Sequence, residues 1–151
     1  EFTRLFVGPP KPVAAPWETF YGAPDGMQVD VGFGRATAQM QRLLQQAGLR
    51  ISNENNQYAD HMGIELLYAS EIARRIAVGE SGAAGNGSAD EGESASADRN
   101  GNVPTRDDLA AFVSEHPLAW IDYFAKSIEN AASDGYFARV IGLAKALLEL
   151  V

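Results

Sequence analysis

Apolar residues recur at three- and four-residue steps along most of the chain, and this spacing predicts helices rather than strands. The first predicted helix runs from Met27 to Gly48, where the glycine is its expected C-terminal stop. The second runs from about Gln57 to Val78. Three more are predicted over residues 105 to about 114, 118–128 and 136–150. The last is identified by one stripe of apolar residues: Tyr136, Val140, Leu143, Leu147 and Leu150.

No stretch alternates polar and apolar residues in the way a half-buried strand would. The pattern therefore predicts an all-α fold, a single-domain helical bundle of about five helices over residues 1–151. The chain opens with Glu1 rather than Met, and its first residues resemble the closing turns of a helix. We expect N-terminal helices of the bundle to be missing from this chain.

Two segments interrupt the helical pattern. Residues 7–26 contain five prolines, which exclude a long regular helix, yet this loop carries Trp17, Phe20 and Tyr21. Three aromatic residues are unusual in a flexible linker, so we expect the loop to pack against the helices and to form one wall of a site. The second segment, about residues 79–104, lacks large apolar residues through residue 102 and is predicted to be a flexible internal linker.

Composition narrows the classes of function. The chain carries a formal charge of −8, which argues against nucleic acid or an anionic membrane as the main partner. It contains no cysteine, so disulfides, thiolate metal sites and cysteine nucleophiles are excluded. No apolar run approaches the ~20 residues that cross a bilayer. The cytoplasm is the expected compartment.

The most suggestive chemistry lies at Asp60 and His61, directly before the second helical pattern. An Asp-His pair can bind a metal, but the chain has only one other histidine, His116, so a metal site is disfavoured. No GxSxG motif is present to hold a serine nucleophile, which disfavours hydrolysis. Glu65 follows His61 by four residues and shares its helix face. Two interpretations of Asp60 and His61 remain, a helix cap and a polar recognition surface.

Four blocks, read in order, resemble one protein family: "EFTRLFVGP" (1–9), "APWETFYG" (15–22), "ADHMGIELLYA" (59–69) and "FVSEHPLAWIDYFAKSI" (112–128). Together they resemble the TorD/DmsD family of redox-enzyme maturation chaperones. The chain departs from the family pattern at Gln57 and Tyr58, where Glu and Pro are usual.

The resemblance implies a non-enzymatic cytoplasmic chaperone with no metal and no required cofactor; weak guanine nucleotide binding is implied for some members. Its partners would be the twin-arginine signal peptide and the apo form of a molybdenum-containing oxidoreductase, held until cofactor insertion and export. Members occur as monomers or domain-swapped homodimers. The alternative is a nitrate-reductase-delta-type chaperone that acts on the catalytic subunit itself.

The resemblance also carries over a signal-peptide-binding surface made of Pro16, Trp17, Tyr21, Asp60 and His61. Glu18 and Glu65 join it on physical grounds. In this scheme Asp60 binds an arginine of the leader, Trp17 stacks on it, and a charged His61 would weaken the attraction.

Overall fold

In a computed structural model of the protein, the described residues form an all-α fold, as the sequence predicts. The structure describes residues 1–8, 11–22, 34–52, 57–84, 97–98 and 101–151. Its α-helices are α1 (Glu18–Tyr21), α2 (Arg35–Gln46), α3 (Met62–Ala84), α4 (Arg106–Glu115), α5 (Pro117–Ala132) and α6 (Tyr136–Leu148). Described residues thus form six α-helices, one more than expected, because the aromatic loop contains the short α1.

A helical turn of π geometry over Thr3–Val7 precedes these helices. The N-terminal residues contact the end of α5 and the start of α6. Leu5 in this turn is fully buried. The guanidinium of Arg4 donates to the backbone oxygen of Ala131 at 2.9 Å. The Glu1 carboxylate accepts hydrogen bonds from the first backbone N–H groups of α6, at 3.2 Å from Tyr136. A carboxylate is favourable at this position because it faces the positive end of the helix dipole.

The predicted end of the first helix is confirmed, because Gly48 has a φ of 72° and stops α2 in the left-handed conformation. A helix that runs without a break from Met27 is wrong, because α2 begins at Arg35 and its N-cap Gly34 has an extended backbone; residues 27–33 lie outside the described residues. Gly34 precedes α2 at a tight contact, where an added Cβ would collide with the side chain of Thr19.

The predicted bounds of the second helix are wrong at both ends. Helix α3 begins at Met62 rather than at residue 57, because residues 58–61 form a turn whose backbone is hydrogen-bonded to the aromatic loop. It continues to Ala84, so the first six residues of the predicted linker are helical. Alanine and glutamate at 77, 80, 83 and 84 are good helix formers, which favours this extension of the helix. Most of the remaining linker lies outside the described residues.

Helix α5 is the centre of the fold. It packs against α1, α3, α4 and α6, and its buried residues Trp120, Ile121, Phe124 and Ile128 form the middle of the core. The sequence predicts this face from the spacing of Leu118, Ile121, Phe124, Ala125 and Ile128, with Trp120 beside the stripe. It also predicts Thr105 as the N-cap of α4, because Asp107 and Asp108 follow it, and the structure has this cap. Helix α5 begins at Pro117, whose fixed φ suits a first helical position.

Helix α6 presents a different face from the one the periodicity suggests. Its inward residues include Ile141 and Leu148, each 6% exposed. The predicted stripe is instead exposed, with Tyr136 at 68% and Leu143 at 63%. The three- and four-residue steps locate the helix correctly, but both of its faces are apolar and periodicity cannot choose between them.

Candidate functional site

The aromatic loop and the start of α3 are joined through their backbones. Glu18 N–H donates to the carbonyl of Asp60 at 2.9 Å, and Met62 N–H donates to the carbonyl of Pro16 at 2.9 Å. Trp17 and His61 consequently face each other as an isolated antiparallel bridge. The loop therefore packs on the helices, as the sequence predicts, and its position is fixed by hydrogen bonds.

The carboxylate of Asp60 ties three segments together. Its Oδ2 accepts from Thr19 N–H at 3.0 Å, and its Oδ1 accepts from the hydroxyl of Thr37 on α2 at 2.9 Å. The two threonine hydroxyls are 3.2 Å apart. Asp60 is 0% exposed. The carboxylate lies behind the loop, and both of its oxygens accept hydrogen bonds from within the protein. Its role is therefore to hold the loop in position.

Three rings form the outward part of this region. Trp17 lies edge to face with His61, with ring centroids 5.9 Å apart, and edge to face with Tyr58, at 6.4 Å. Tyr58 is 41% exposed, and the other two residues are half-buried. Trp17 Nε1 is buried and has no hydrogen-bond partner among the described residues. We call Trp17, Tyr58 and His61 the aromatic surface.

The protonation state of His61 follows from one hydrogen bond and from its burial. Its Nδ1 accepts a hydrogen bond from Gly63 N–H at 3.0 Å, so the side chain also caps the start of α3. Burial lowers the pKa of His61 below its ordinary value, and the nearby charge of Asp60 opposes this only in part. The imidazole is therefore neutral at pH 7, and its proton lies on Nε2.

Glu65 points inward from α3. It is 0% exposed, and its Oε2 accepts from the indole N–H of Trp120 at 3.0 Å. Burial, with the negative charge of Glu18 as a smaller cause, raises the pKa of Glu65 to about 9. The carboxyl group is therefore neutral at pH 7, and it cannot offer a charge to a cationic ligand in that state.

Glu18 and Tyr21 also face the interior. A Glu18 carboxylate oxygen lies 2.8 Å from Nδ1 of His116, and this imidazole stacks on Phe112 with centroids 5.1 Å apart. The Tyr21 ring stacks on Trp120 at 5.4 Å. The predicted site residues thus separate into three sets. Trp17 and His61 form an outer pair, while Glu18, Tyr21 and Glu65 face His116 and α5. Asp60 and Pro16 are buried at the junction between the loop and the start of α3.

The structure adds residues that the site prediction lacks. Tyr58 stands out in the sequence only as a departure from the family pattern. Thr37 and His116 join the network through contacts across 23 and 98 residues, to Asp60 and Glu18. No local sequence signal identifies contacts of that range.

A cleft of about 570 Å³ opens between α2, α3 and α4, beside His116. Its lining combines apolar side chains, such as Leu43, Ile72 and Phe112, with the charged Arg42 and Glu115. Since His116 also contacts Glu18, the cleft is linked to the loop that carries Trp17.

Within the described ranges, no group of three or more His, Cys, Asp or Glu residues is arranged to hold a metal ion. No helix in the same ranges is long and apolar enough to span a bilayer. The site offers hydrogen-bonding groups and aromatic faces.

The sequence matches a family model described as nitrate reductase delta subunit over residues 1–126. The chain belongs to the nitrate reductase delta subunit family. This is a family of redox-enzyme maturation chaperones of the NarJ/TorD type, which supports the resemblance seen in the sequence. Membership implies a maturation chaperone for molybdoenzymes, acting with a subunit of such an enzyme, and the family is not catalytic. No curated protein and no solved structure matches the chain. The matched region contains the whole aromatic surface and ends within α5, before α6 begins.

Proposed function

We propose that this member of the delta subunit family binds the twin-arginine signal peptide and the apo form of a molybdenum-containing oxidoreductase. It would do so in the cytoplasm, assisting cofactor insertion and delaying export until the enzyme is mature. The observation that supports the proposal is the aromatic surface of Trp17, Tyr58 and His61, held in place by the buried Asp60.

The chemistry of an arginine suits this surface. A guanidinium is planar and weakly hydrated, and it stacks on indole and phenol rings by cation–π attraction. Trp17 and Tyr58 offer such rings at adjacent positions. His61 is neutral at pH 7 and so adds no repulsion toward a cation. The overall charge of −8 attracts a dibasic peptide over a longer range.

Asp60 has a positioning role in this proposal. Both of its oxygens are already hydrogen-bonded, so direct pairing with an arginine would break a contact to Thr19 or Thr37. Its charge still contributes to the local potential, while its hydrogen bonds fix the angle at which Trp17 is presented.

The apolar stretch of a leader has a separate place to bind. The cleft beside His116 combines apolar walls with a charged rim, and a volume of about 570 Å³ can take several side chains. Leader peptides shortened within the apolar stretch should lose affinity without losing the preference for arginine.

Calorimetric titration with a twin-arginine leader peptide, and with a twin-lysine version of it, tests the proposal. We expect the arginine form to bind more tightly and Trp17→Leu and Tyr58→Leu to weaken binding by about 2- to 30-fold each, as loss of a cation–π contact predicts. Tyr123→Leu is the matched control, because Tyr123 is 63% exposed on α5 and no ring contact joins it to Trp17, Tyr58 or His61. Equal affinity for both peptides, or equal losses in all three variants, would contradict leader recognition at this surface.

The second candidate is a chaperone of the delta type that acts on the catalytic subunit itself. The description of the matched family favours it. A pull-down with an apo catalytic subunit that lacks its leader separates the two. Retention of this subunit, together with no binding to any leader peptide, would favour the second candidate.

A further inference from the structure

Three carboxyl groups and one imidazole lie together beneath the aromatic loop. Glu18 belongs to α1, Asp60 to the turn before α3 and Glu65 to α3, while His116 lies between α4 and α5. Asp60 and Glu65 are 0% exposed, and His116 is 4% exposed. The charges that act on Glu65 are those of Glu18 and Asp60, and both are negative. We call these four residues the buried acid cluster.

Glu65 has fewer donors around it than an ionised carboxylate needs. Its Oε2 accepts from the Trp120 indole N–H, but its Oε1 is buried and has no hydrogen-bond partner among the described residues. An ionised oxygen without a donor is costly in the interior, whereas a protonated oxygen becomes a donor itself. The raised pKa of Glu65 agrees with this geometry, since burial and the charge of Glu18 are its two largest causes. The buried acid cluster therefore holds one proton on Glu65 at pH 7.

Glu18 relates this proton to the aromatic loop. It is the first residue of α1, and its carboxylate accepts from Nδ1 of His116 at 2.8 Å. Tyr21, at the other end of α1, stacks on Trp120, whose indole N–H donates to Glu65. Both ends of α1 are thus held by contacts within or beside the buried acid cluster.

We propose that the proton on Glu65 holds the aromatic loop against α5, and that its loss to solvent releases α1 together with Trp17. While Glu65 is protonated, Glu18 is the charged carboxylate that the loop presents to it. Ionisation of Glu65 adds a second negative charge there, and no cation is gained to balance it. The position of the aromatic surface then depends on pH even without a ligand, so this inference is independent of leader binding.

Helix α1, rather than α3, is the element that this repulsion should move. Helix α3 has 23 residues, and Glu65 lies in its first turn with no exposed surface. Helix α1 has four residues, and the Glu18 side chain is already 14% exposed. A small rotation of α1 brings the Glu18 carboxylate to water, whereas Glu65 would have to carry the start of α3 with it. Short elements with few buried contacts open at the lowest cost.

The other titratable groups around the buried acid cluster do not oppose this effect. The charge of Asp60 raises the pKa of Glu65 further, and burial raises the pKa of Tyr21, so its phenol stays neutral at pH 9. Helix α5 contributes a neutral indole N–H, and α2 contributes a neutral hydroxyl. A neutral His116 attracts Glu18 less than a charged one, so its titration acts in the same direction.

Fluorine spectra of the full 151-residue chain test the proposal, because 5-fluorotryptophan gives one ¹⁹F resonance for each of its two tryptophans. Trp120 reports on Glu65, to which it donates, and Trp17 reports on the loop. Trp17→Phe assigns the two signals. We expect both to shift with one midpoint near pH 9, and neither to shift above pH 7.5 in Glu65→Gln. Titration of the Trp120 signal without the Trp17 signal, or of neither, overturns the proposal.

Glu18→Gln tests whether the two carboxyl groups act on each other. Glutamine keeps an oxygen that can accept from His116 Nδ1 but removes the negative charge, so the midpoint of the Trp120 signal should fall by about 1 pH unit or more. Glu129→Gln is the matched control, because Glu129 is exposed on α5, and it should leave the midpoint unchanged. An unchanged midpoint in Glu18→Gln overturns the proposal.

Circular dichroism of the parent separates release of the loop from general unfolding. Release of the four-residue α1 should leave the helical signal nearly constant through the midpoint of the fluorine titration. Loss of the helical signal at the same midpoint would show that the whole fold opens, and that result would also overturn the proposal.

Discussion

The carboxylate of Asp60 accepts the backbone N–H of Thr19 at 3.0 Å, across 41 residues of sequence. Its second oxygen accepts the hydroxyl of Thr37, so one buried side chain holds the aromatic loop, α2 and the start of α3. The direction in which Trp17 faces depends on this contact.

Replacing Asp60 tests the positioning role directly. Asp60→Ala leaves Thr19 N–H and the Thr37 hydroxyl buried without acceptors, and we expect the free energy of unfolding to fall by about 2–4 kcal/mol. Asp60→Asn should cost much less, because the amide oxygen can accept from Thr19 while Thr37 reverses its hydroxyl to accept from the amide. Urea denaturation measures both, with the exposed Asp107→Ala as the control.

The outcome also separates two mechanisms of leader binding. If Asp60 positions the loop, Asp60→Asn should retain most of the affinity for a twin-arginine peptide. A loss as large as that of Trp17→Leu would instead indicate that Asp60 pairs with the arginine.

Gly34 should tolerate no side chain. An added Cβ would collide with Thr19, so Gly34→Ala should lower the free energy of unfolding by about 1–3 kcal/mol. Gly142→Ala is the matched control, because open space surrounds that position on α6 and the change should stabilise the helix by about 0.5–1 kcal/mol. Urea denaturation compares the two.

A double-mutant cycle shows whether the collision is the cause. Gly34→Ala should cost less in a Thr19→Ala background, since the colliding atoms are gone. Additive costs would assign the effect of Gly34 to some other contact.

Glu65 should make stability fall as pH rises. Its pKa is about 9 in the folded protein and close to 4.5 when the chain is unfolded, so folding takes up a proton between these values. Stability then falls with pH across this window, by about 1 kcal/mol per pH unit from this group. Glu65→Gln removes the dependence and can still accept from the Trp120 indole. The variant should gain stability relative to the parent between pH 6 and pH 8.

Urea midpoints at the two pH values measure this gain. Glu129→Gln serves as the control, because Glu129 is exposed on α5. A difference between the parent and Glu65→Gln that does not change with pH would show that Glu65 is already ionised in the folded protein.

Thr105 caps α4 through a reciprocal pair of hydrogen bonds. The Thr105 hydroxyl oxygen accepts from Asp108 N–H at 3.2 Å, and an Asp108 carboxylate oxygen accepts from Thr105 N–H at 2.8 Å. Thr105→Ala should lower the free energy of unfolding by about 1 kcal/mol, measured by thermal or urea unfolding. Thr3→Ala, at an exposed residue of the N-terminal turn, should change it by less than about 0.5 kcal/mol.

The sequence by itself determined the features that depend on neighbours along the chain. The all-α class, the Gly48 stop, the Thr105 cap and the buried face of α5 follow from local spacing and capping chemistry. The motifs also indicated the family, which the match over residues 1–126 confirms. These signals act over a few residues, and a single sequence contains all of them.

Only the tertiary structure decided what depends on residues far apart. It placed Asp60 behind the loop, made Glu65 a neutral partner of Trp120, and brought Tyr58 beside Trp17. It extended α3 into the predicted linker and turned the stripe of α6 outward. Whether a side chain is buried, and which group it pairs with, depends on residues that are distant in the sequence. A periodic pattern identifies a helix, but it does not identify the surface against which that helix packs.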